Sequence, residues 1–202
     1  MRIEGLHLDA LTEIFNVGAG RAAASLSEIV GDEVKLSVPA VKFYNRDEIS
    51  ADTLSLAGAR VGSVRQRFSG QLNLDASLMF REERALEIVQ DMLRSQMGLD
   101  DLVEFEQEAM CELGNFILNG CMAAISDLLA ISFTSTLPEY LVDDAAVVLR
   151  TLASSSSQPV ILVLHMDLTI EKRATHGYLV FLLSSDSLSE LLDALNRFLD
   201  SI

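Results

Sequence analysis

A short polar motif occurs twice in the sequence, each time at the same distance from a proline. The motif is Glu-x2-Asn-x22-Pro, and its two copies are Glu13, Asn16 and Pro39, and Glu112, Asn115 and Pro138. The chain contains only three prolines, so two copies of this spacing favour a duplicated functional motif over coincidence. A further acidic residue stands four positions before each glutamate, at Asp9 and at Glu108.

The spacing predicts that each copy lines up its polar groups on one face of a helix. Residues three or four positions apart share a helix face, with Cβ atoms about 5–6 Å apart. An asparagine amide both donates and accepts hydrogen bonds, so it can orient a water molecule although it is no strong base. A carboxylate beside it can pair with a lysine or guide the same water. The alternative is that these rows are simply the solvated faces of two amphipathic helices.

This set of groups suits hydrolysis of a bond that is already activated on a partner molecule. Phosphoryl transfer depends mainly on positioning and electrostatics, and a water-orienting amide is one device for it. The sequence has no P-loop and no GxSxG nucleophile elbow, so it does not indicate a self-contained reaction. His7, His165 and His176 lack any mutual metal-ligand spacing, and we interpret them as structural or surface residues with no metal site.

The small residues of the first motif helix favour close packing over nucleotide binding. Gly18 and Gly20 lack the preceding strand and the third glycine of a dinucleotide-binding loop. Together with Ala22 and Ala23, they predict a helix surface that another element approaches closely.

The elements that must hold the motifs follow from hydrophobic periodicity. Apolar residues at three- and four-residue steps predict helices at Leu8–Val30, Arg81–Met97, Asp101–Ala130 and Ser187–Leu199. Alternating or apolar runs predict strands at Val34–Val38, Thr53–Val61, Ser63–Phe80, Ser132–Leu137, Ala146–Leu152, Val160–Ile170 and Gly177–Leu183. We expect Gly98 to end the second helix, Asp101 to cap the third, and Ser154–Pro159 to form a loop.

The order of these elements repeats, which predicts an internal duplication. Shifting the sequence by 99 residues superimposes the two copies of the motif. We therefore expect an α+β fold in which two αβ halves, about residues 1–98 and 99–202, are related by a pseudo-two-fold axis within one domain. The halves would share an antiparallel or mixed sheet, with the long motif helices exposed on one side.

Composition excludes several classes of partner. The chain has 202 residues, with 30 acidic and 15 basic ones, for a net charge of −15. Such a chain is unsuited to binding a nucleic-acid backbone or an anionic membrane surface. Its apolar runs are too short to span a bilayer, and we expect no signal peptide. Cys111 and Cys121 lie about 15 Å apart along one predicted helix, which predicts free thiols and a cytoplasmic location.

The motif resembles the signature of the CheC/CheX/FliY family of phosphatases in bacterial chemotaxis. The first copy, read as Asp-x3-Glu-x2-Asn-x22-Pro over Asp9–Pro39, carries the strongest part of the resemblance. The second copy matches at three positions and has Glu108 where Asp or Ser is usual. Two copies in a chain of 202 residues are most similar to the CheC-type members of the family.

The resemblance implies an enzyme, its site and its partners. The implied activity is hydrolysis of the aspartyl phosphate on the phosphorylated response regulator CheY. The implied catalytic residues are Glu13, Asn16, Glu112 and Asn115, and the implied binding residues are Asp9, Glu108, Pro39 and Pro138. The asparagines would orient the attacking water, and the glutamates would pair with a lysine in the active site of the regulator. The Mg²⁺ would belong to the regulator, with no cofactor held by this chain, and the receptor deamidase CheD is a further candidate partner.

Two alternatives stay open at the level of sequence. The same scaffold could be a non-catalytic adaptor that docks a response regulator, CheD or a flagellar switch component. It could also be a phosphatase for a regulator outside chemotaxis, because the motif addresses an active site that such regulators share. Two intact Glu/Asn pairs favour catalysis, since an adaptor has no need of both.

Overall fold

An antiparallel sheet of seven strands carries the helices in the computed structural model, which describes residue 3 and residues 5–93, 103–154, 160–170 and 173–201. Within these residues the helices are α1 (Gly5–Val30), α2 (Glu82–Met92), α3 (Val103–Leu129), α4 (Ala145–Ser154) and α5 (Ser185–Leu199). The strands are β1 (Val34–Asn45), β2 (Arg60–Gly70), β3 (Leu74–Arg81), β4 (Phe133–Ser135), β5 (Glu139–Asp144), β6 (Val160–Ile170) and β7 (Arg173–Leu183).

The strands are arranged symmetrically about the centre of the sheet. They run β1, β6, β7, β3 and β2, and the short strands β4 and β5 both pair with the outer side of β2. The hairpins β6–β7 and β2–β3 meet at the central β7–β3 pair, and all of these pairings are antiparallel. The predicted α+β fold is confirmed, and the sheet is antiparallel rather than mixed. A pseudo-two-fold axis would produce this order, while the division at residues 98 and 99 stays a prediction.

Alternation along the central strands divides the apolar side chains between the two faces of the sheet. On β6, Leu162 and Leu164 pack with α1 and α3 in the main core, which also includes residues of α2 and α5. Ile161 and Val163 point to the opposite face, where α4 and residues 51–56 form a smaller core. The two motif helices therefore lie together on one face of the sheet.

The motif helices cross at glycines. A Cβ atom placed on Gly18 of α1 would lie 2.6 Å from the Cα of Cys121 and 2.7 Å from the backbone oxygen of Gly120, both in α3. Any side chain at this position would push the two backbones apart, so the predicted close approach is confirmed at Gly18. Gly20 is exposed, and a Cβ atom there would have no neighbour within 4 Å.

The strand predicted at Ala146–Leu152 is wrong, because this segment is helix α4. Its buried residues Val148, Leu149 and Leu152 recur at the three- and four-residue spacing of a helix, while Val147 stays exposed. A short apolar run rich in valine and leucine fits either structure, and packing on the sheet decides between them.

The strand predicted at Thr53–Val61 is wrong over most of its length, since β2 begins only at Arg60. Residues 51–55 form turns, with Ser55 at a φ of 55°. Leu54 and Leu56 are nevertheless buried in the smaller core. Apolar residues alternate with others here as they would in a strand, but the pattern arises because Leu54 and Leu56 of this connection are both buried in the smaller core.

The single strand predicted at Ser63–Phe80 is wrong, because residues 71–73 turn the chain and divide it into the hairpin β2–β3. The remaining predicted elements are present, with differences at their ends. β1 continues through Pro39 to Asn45, although its register shifts between Ser37 and Ala40. α2 ends at Met92, and residues 94–102, with the predicted stop and cap, lie outside the described residues. Most of the predicted serine-rich loop, residues 155–159, also lies outside them.

Candidate active site

Helix α1 presents the first copy of the motif at its outer surface. Asp9 and Glu13 are exposed, whereas Asn16, one turn further along, is half-buried. The Nδ2 group of Asn16 donates to the backbone oxygens of Thr12, at 2.9 Å, and Val38, at 3.0 Å. Its Oδ1 atom accepts a hydrogen bond from the backbone N–H of Val38, at 2.8 Å. Both ends of this carboxamide are therefore bound to the protein's own backbone.

The sequence of β1 explains why Asn16 is held in this way. The register shift between Ser37 and Ala40 leaves Val38 out of the ladder with β6, and Pro39 has no N–H to offer. The side chain of Val38 is buried, so its backbone groups need partners within the protein. A carboxamide has the same donor and acceptor as a peptide group, so Asn16 takes the place of a strand partner.

Helix α3 presents the second copy differently. Glu108, Glu112 and Asn115 are all exposed. The Oδ1 atom of Asn115 accepts a hydrogen bond from Nδ2 of Asn119, one turn further along, at 2.7 Å. Among the described residues, none accepts a hydrogen bond from the amide nitrogen of Asn115. This carboxamide faces solvent with its donor group and one acceptor lone pair available.

The segment before Pro138 accounts for the difference between the two copies. Leu137 stands where the first copy has Val38, but its side chain is 86% exposed. Two residues of β2 bind the neighbouring Thr136. Its backbone N–H donates to the backbone oxygen of Arg67, at 3.0 Å, and its backbone oxygen accepts a hydrogen bond from Nε2 of Gln66, at 2.7 Å. Because Leu137 is exposed, its backbone groups can bind water, and Asn115 makes no bond to it among the described residues.

The prolines of the two copies also lie in different surroundings. Pro39 is exposed on edge strand β1, directly after the residue that Asn16 binds. Pro138 is half-buried between β4 and β5, and its backbone oxygen lies 3.7 Å from Sγ of Cys111, the residue before Glu112. Each proline is thus placed beside the helix that carries its own copy of the motif.

The thiols and the tyrosine near the second copy are neutral groups. Burial raises the pKa of Cys111 above its ordinary value, and burial raises the pKa of Cys121 to about 12. Burial and a hydrogen bond donated to the carboxylate of Glu106 raise the pKa of Tyr140. Both cysteines are free, as predicted. The site thus offers a carboxylate and an amide, without a thiolate nucleophile among these groups.

The histidines divide into one structural residue and one pair. His7 is buried, and its Nε2 atom lies 2.8 Å from Oδ1 of Asn196 in α5. The sequence shows no metal-ligand spacing between His165 and His176, yet the structure brings them together, with ring centroids 6.0 Å apart across β6 and β7. None of the described helices combines the length and apolar character needed to cross a membrane.

Comparison with known sequences points to one family. A family model described as the CheC-like family matches residues 6–43, which contain nearly all of α1 and most of β1. The CheY-P phosphatase CheC of Bacillus subtilis (strain 168) is 25% identical over 139 residues, or 67% of this chain and 66% of that protein. The chain thus matches just under two thirds of the length of this relative.

Solved structures share the whole fold. The X-ray structure of Thermotoga maritima FliY covers 98% of this chain and 100% of its own, with a TM-score of 0.76 and 18% identity. The FliM middle domain from H. pylori covers 95% of this chain and 99% of its own, with a TM-score of 0.63 and 11% identity. At these identities the likeness establishes the fold alone. The family-model match over residues 6–43 and the sequence relative support the resemblance to the CheC/CheX/FliY family.

Proposed function

We propose that the chain hydrolyses the aspartyl phosphate of a phosphorylated CheY-type response regulator, and that α3 carries most of this activity. The observation that supports the assignment to α3 is the state of the two asparagines. Asn16 is bound at both ends to Thr12 and Val38, whereas Asn115 is exposed with an available amide. The relative that is described as a CheY-P phosphatase supports the reaction itself.

In this proposal Asn115 orients the attacking water. Its Oδ1 atom has two lone pairs, of which one accepts the hydrogen bond from Asn119 and the other can accept from the water. The bond to Asn119 also fixes which end of the carboxamide carries the oxygen. The water oxygen bonds to phosphorus and the bond from phosphorus to the aspartyl oxygen breaks. The aspartate carboxylate stays on the regulator, and inorganic phosphate leaves with the oxygen and both protons of the water. The regulator's own Mg²⁺ stabilises the charge on the phosphoryl oxygens.

Glu112 and Glu108 provide the charge that seats the regulator. Both carboxylates are exposed on the same row of α3 as Asn115. Glu112 pairs with the lysine in the active site of the regulator, which seats the helix. Glu108, one turn earlier, extends the acidic row towards the edge of the contact.

Leu137 provides an apolar contact beside this row. Its side chain is 86% exposed, the most exposed large apolar side chain among the described residues. It directly precedes Pro138, which lies against Cys111 at the base of Glu112. A large exposed apolar side chain next to charged groups is typical of a protein contact. We therefore assign Leu137 to docking and not to the chemical step.

The first copy has a different part in this proposal. Asp9 and Glu13 remain exposed and can bind a regulator electrostatically. Asn16 is half-buried, and its Nδ2 group already donates to the backbone oxygens of Thr12 and Val38, so this carboxamide is less accessible to a regulator and its water than that of Asn115. The α1 copy therefore contributes binding and little turnover.

The test is the decay of Mg²⁺-bound phosphorylated CheY, followed by release of inorganic phosphate. We expect wild type to accelerate decay and Asn115→Ala to lose about 100-fold or more of that acceleration, as removal of a positioned transition-state group does. Asn16→Ala, corrected for the folded fraction, should retain most of it. Leu137→Ala should raise the half-saturating concentration, and Val147→Ala, an exposed residue of α4 on the opposite face, serves as its control.

The other outcomes decide between the alternatives. Equal losses in the two asparagine variants would contradict the assignment to α3. Binding of the regulator without faster decay would identify an adaptor. Faster decay only of a response regulator from outside chemotaxis would assign the activity to that regulator instead of CheY. The same assay with added CheD tests whether CheD is a partner.

A further inference from the structure

Two of the three histidines lie beside an aspartate on the sheet face that α1 and α3 leave free. His165 and Asp167 are two residues apart on β6, so their side chains share a face, which is the face of Ile161 and Val163. The β6–β7 register places His176 directly opposite Asp167. Nδ1 of His176 lies 2.6 Å from Oδ1 of Asp167, and one ligand atom from each of the three residues lies within 4.8 Å of the others.

We propose that His165, Asp167 and His176 bind a transition-metal dication, with Zn²⁺ as the representative ion. Two imidazoles and one carboxylate are a donor set of Zn²⁺ sites that keep a position open for a further ligand. The nitrogen donors argue against Mg²⁺ and Ca²⁺, which prefer oxygen ligands. The site lies across the sheet from the motif helices, so the proposal does not depend on the proposed function.

The distances suit such an ion after small side-chain movements. Zn²⁺ takes nitrogen and oxygen ligands at about 2.0–2.2 Å, so the three donor atoms must lie on a sphere of that radius. They already lie within 4.8 Å of one another, on two hydrogen-bonded strands. A tetrahedral ion would hold its ligand atoms about 3.4 Å apart, so rotation of the partly exposed side chains would draw the farther donors in and move Nδ1 of His176 away from Oδ1 of Asp167, now 2.6 Å apart. The ring of His165 also rests against Tyr178, with centroids 5.1 Å apart, which limits its orientations.

The groove beside the three residues leaves room for a fourth ligand. His165 and His176 form part of its wall, and its volume is about 560 Å³. Arg81 and Arg84 line the same groove, so a bound metal would complete its coordination with water or a small anion. The competing interpretation is an ordinary surface ion pair between His176 and Asp167, which needs no metal.

The experiment is calorimetric titration of Zn²⁺ into the chelator-treated full-length chain, with Mg²⁺ as the comparison ion. We expect one Zn²⁺ per chain and no Mg²⁺ binding at these residues. Asp167→Asn and His176→Gln should each weaken Zn²⁺ by about tenfold or more, at least the loss caused by removal of an outer partner of a metal ligand. The controls are Asp47→Asn, which removes an exposed carboxylate in a turn, and Cys111→Ser, which removes a half-buried thiol.

Circular dichroism of each variant shows whether it is folded, and the Co²⁺ form gives a second readout. A Co²⁺ spectrum without the thiolate charge-transfer band, abolished in His176→Gln, supports nitrogen and oxygen ligation. Failure of the wild-type chain to bind Zn²⁺ would overturn the proposal. Unchanged affinity in both Asp167→Asn and His176→Gln would overturn it too, as would loss of binding in Cys111→Ser.

Discussion

Substitution of the two motif asparagines by alanine should have very different effects on stability. Asn16→Ala removes three hydrogen bonds, two of them to the backbone of Val38, whose side chain is buried. A buried backbone group left without a partner costs about 1–3 kcal/mol. Because Asn16 is only half-buried and Pro39 is exposed, water can reach part of this site, so we take the lower part of the range for each group.

We expect Asn16→Ala to lower the free energy of unfolding by about 2–3 kcal/mol through the two groups of Val38 together. The better helix propensity of alanine offsets about 0.5 kcal/mol of this loss. With a urea m value of about 2 kcal/mol/M, the midpoint should fall by about 1 M. Asn115→Ala removes only an exposed bond to Asn119, so its midpoint should change by less than about 0.25 M, equivalent to 0.5 kcal/mol.

The assay is urea unfolding followed by circular dichroism, with both variants and wild type fitted to one m value. Equal midpoints for the two variants would refute the inference that Asn16 replaces a strand partner of Val38. The result also matters for the enzyme assay. A loss of phosphatase activity in Asn16→Ala means loss of chemistry only when the variant is folded under the assay conditions.

Two further predictions concern the crossing of the motif helices and the thiols of α3. Gly18→Ala should destabilise the chain by about 1–3 kcal/mol, because its Cβ would lie 2.6 Å from the Cα of Cys121, whereas Gly20→Ala should stabilise it by about 0.5–1 kcal/mol in thermal unfolding. An equal loss of stability in Gly18→Ala and Gly20→Ala would contradict the close crossing of α1 and α3. With Ellman's reagent at pH 8, Cys121 should react only after denaturation, because its pKa is raised to about 12 and it is buried. Half-buried Cys111 should react first, and equal rates for the two thiols in the native chain would contradict this placement.

The asymmetry between the copies limits what a motif match can say about activity. The two copies have identical residue types at the glutamate, the asparagine and the proline. In the first, the carboxamide completes the backbone of a bulged edge strand. In the second, the exposed Leu137 stands at the position of Val38, β2 binds the preceding Thr136 through Gln66 and Arg67, and the carboxamide is available. One motif can thus be structural in one half of a chain and chemically available in the other.

Local patterns in the sequence sufficed for the features that depend on near neighbours along the chain. The helical period predicts α1 and α3, and with them the exposed acidic rows at Asp9 and Glu13 and at Glu108 and Glu112, because residues three and four apart share a helix face. The apolar runs likewise predict β6 and β7. The spacing of the motif was enough to indicate the family, since it depends on residue types and not on packing.

Only the tertiary structure decided what depends on contacts between distant segments. Whether Ala146–Leu152 is helix or strand depends on how it packs on the sheet, because its apolar residues fit both periods. His165 and His176 meet only because the register of two strands aligns them. The difference between Asn16 and Asn115 follows the residue before each proline: Val38 is buried and bound by Asn16, whereas Leu137 is exposed and has no bond to Asn115 among the described residues. A buried backbone group must find a partner somewhere, and the sequence around each asparagine does not say which partner reaches it first.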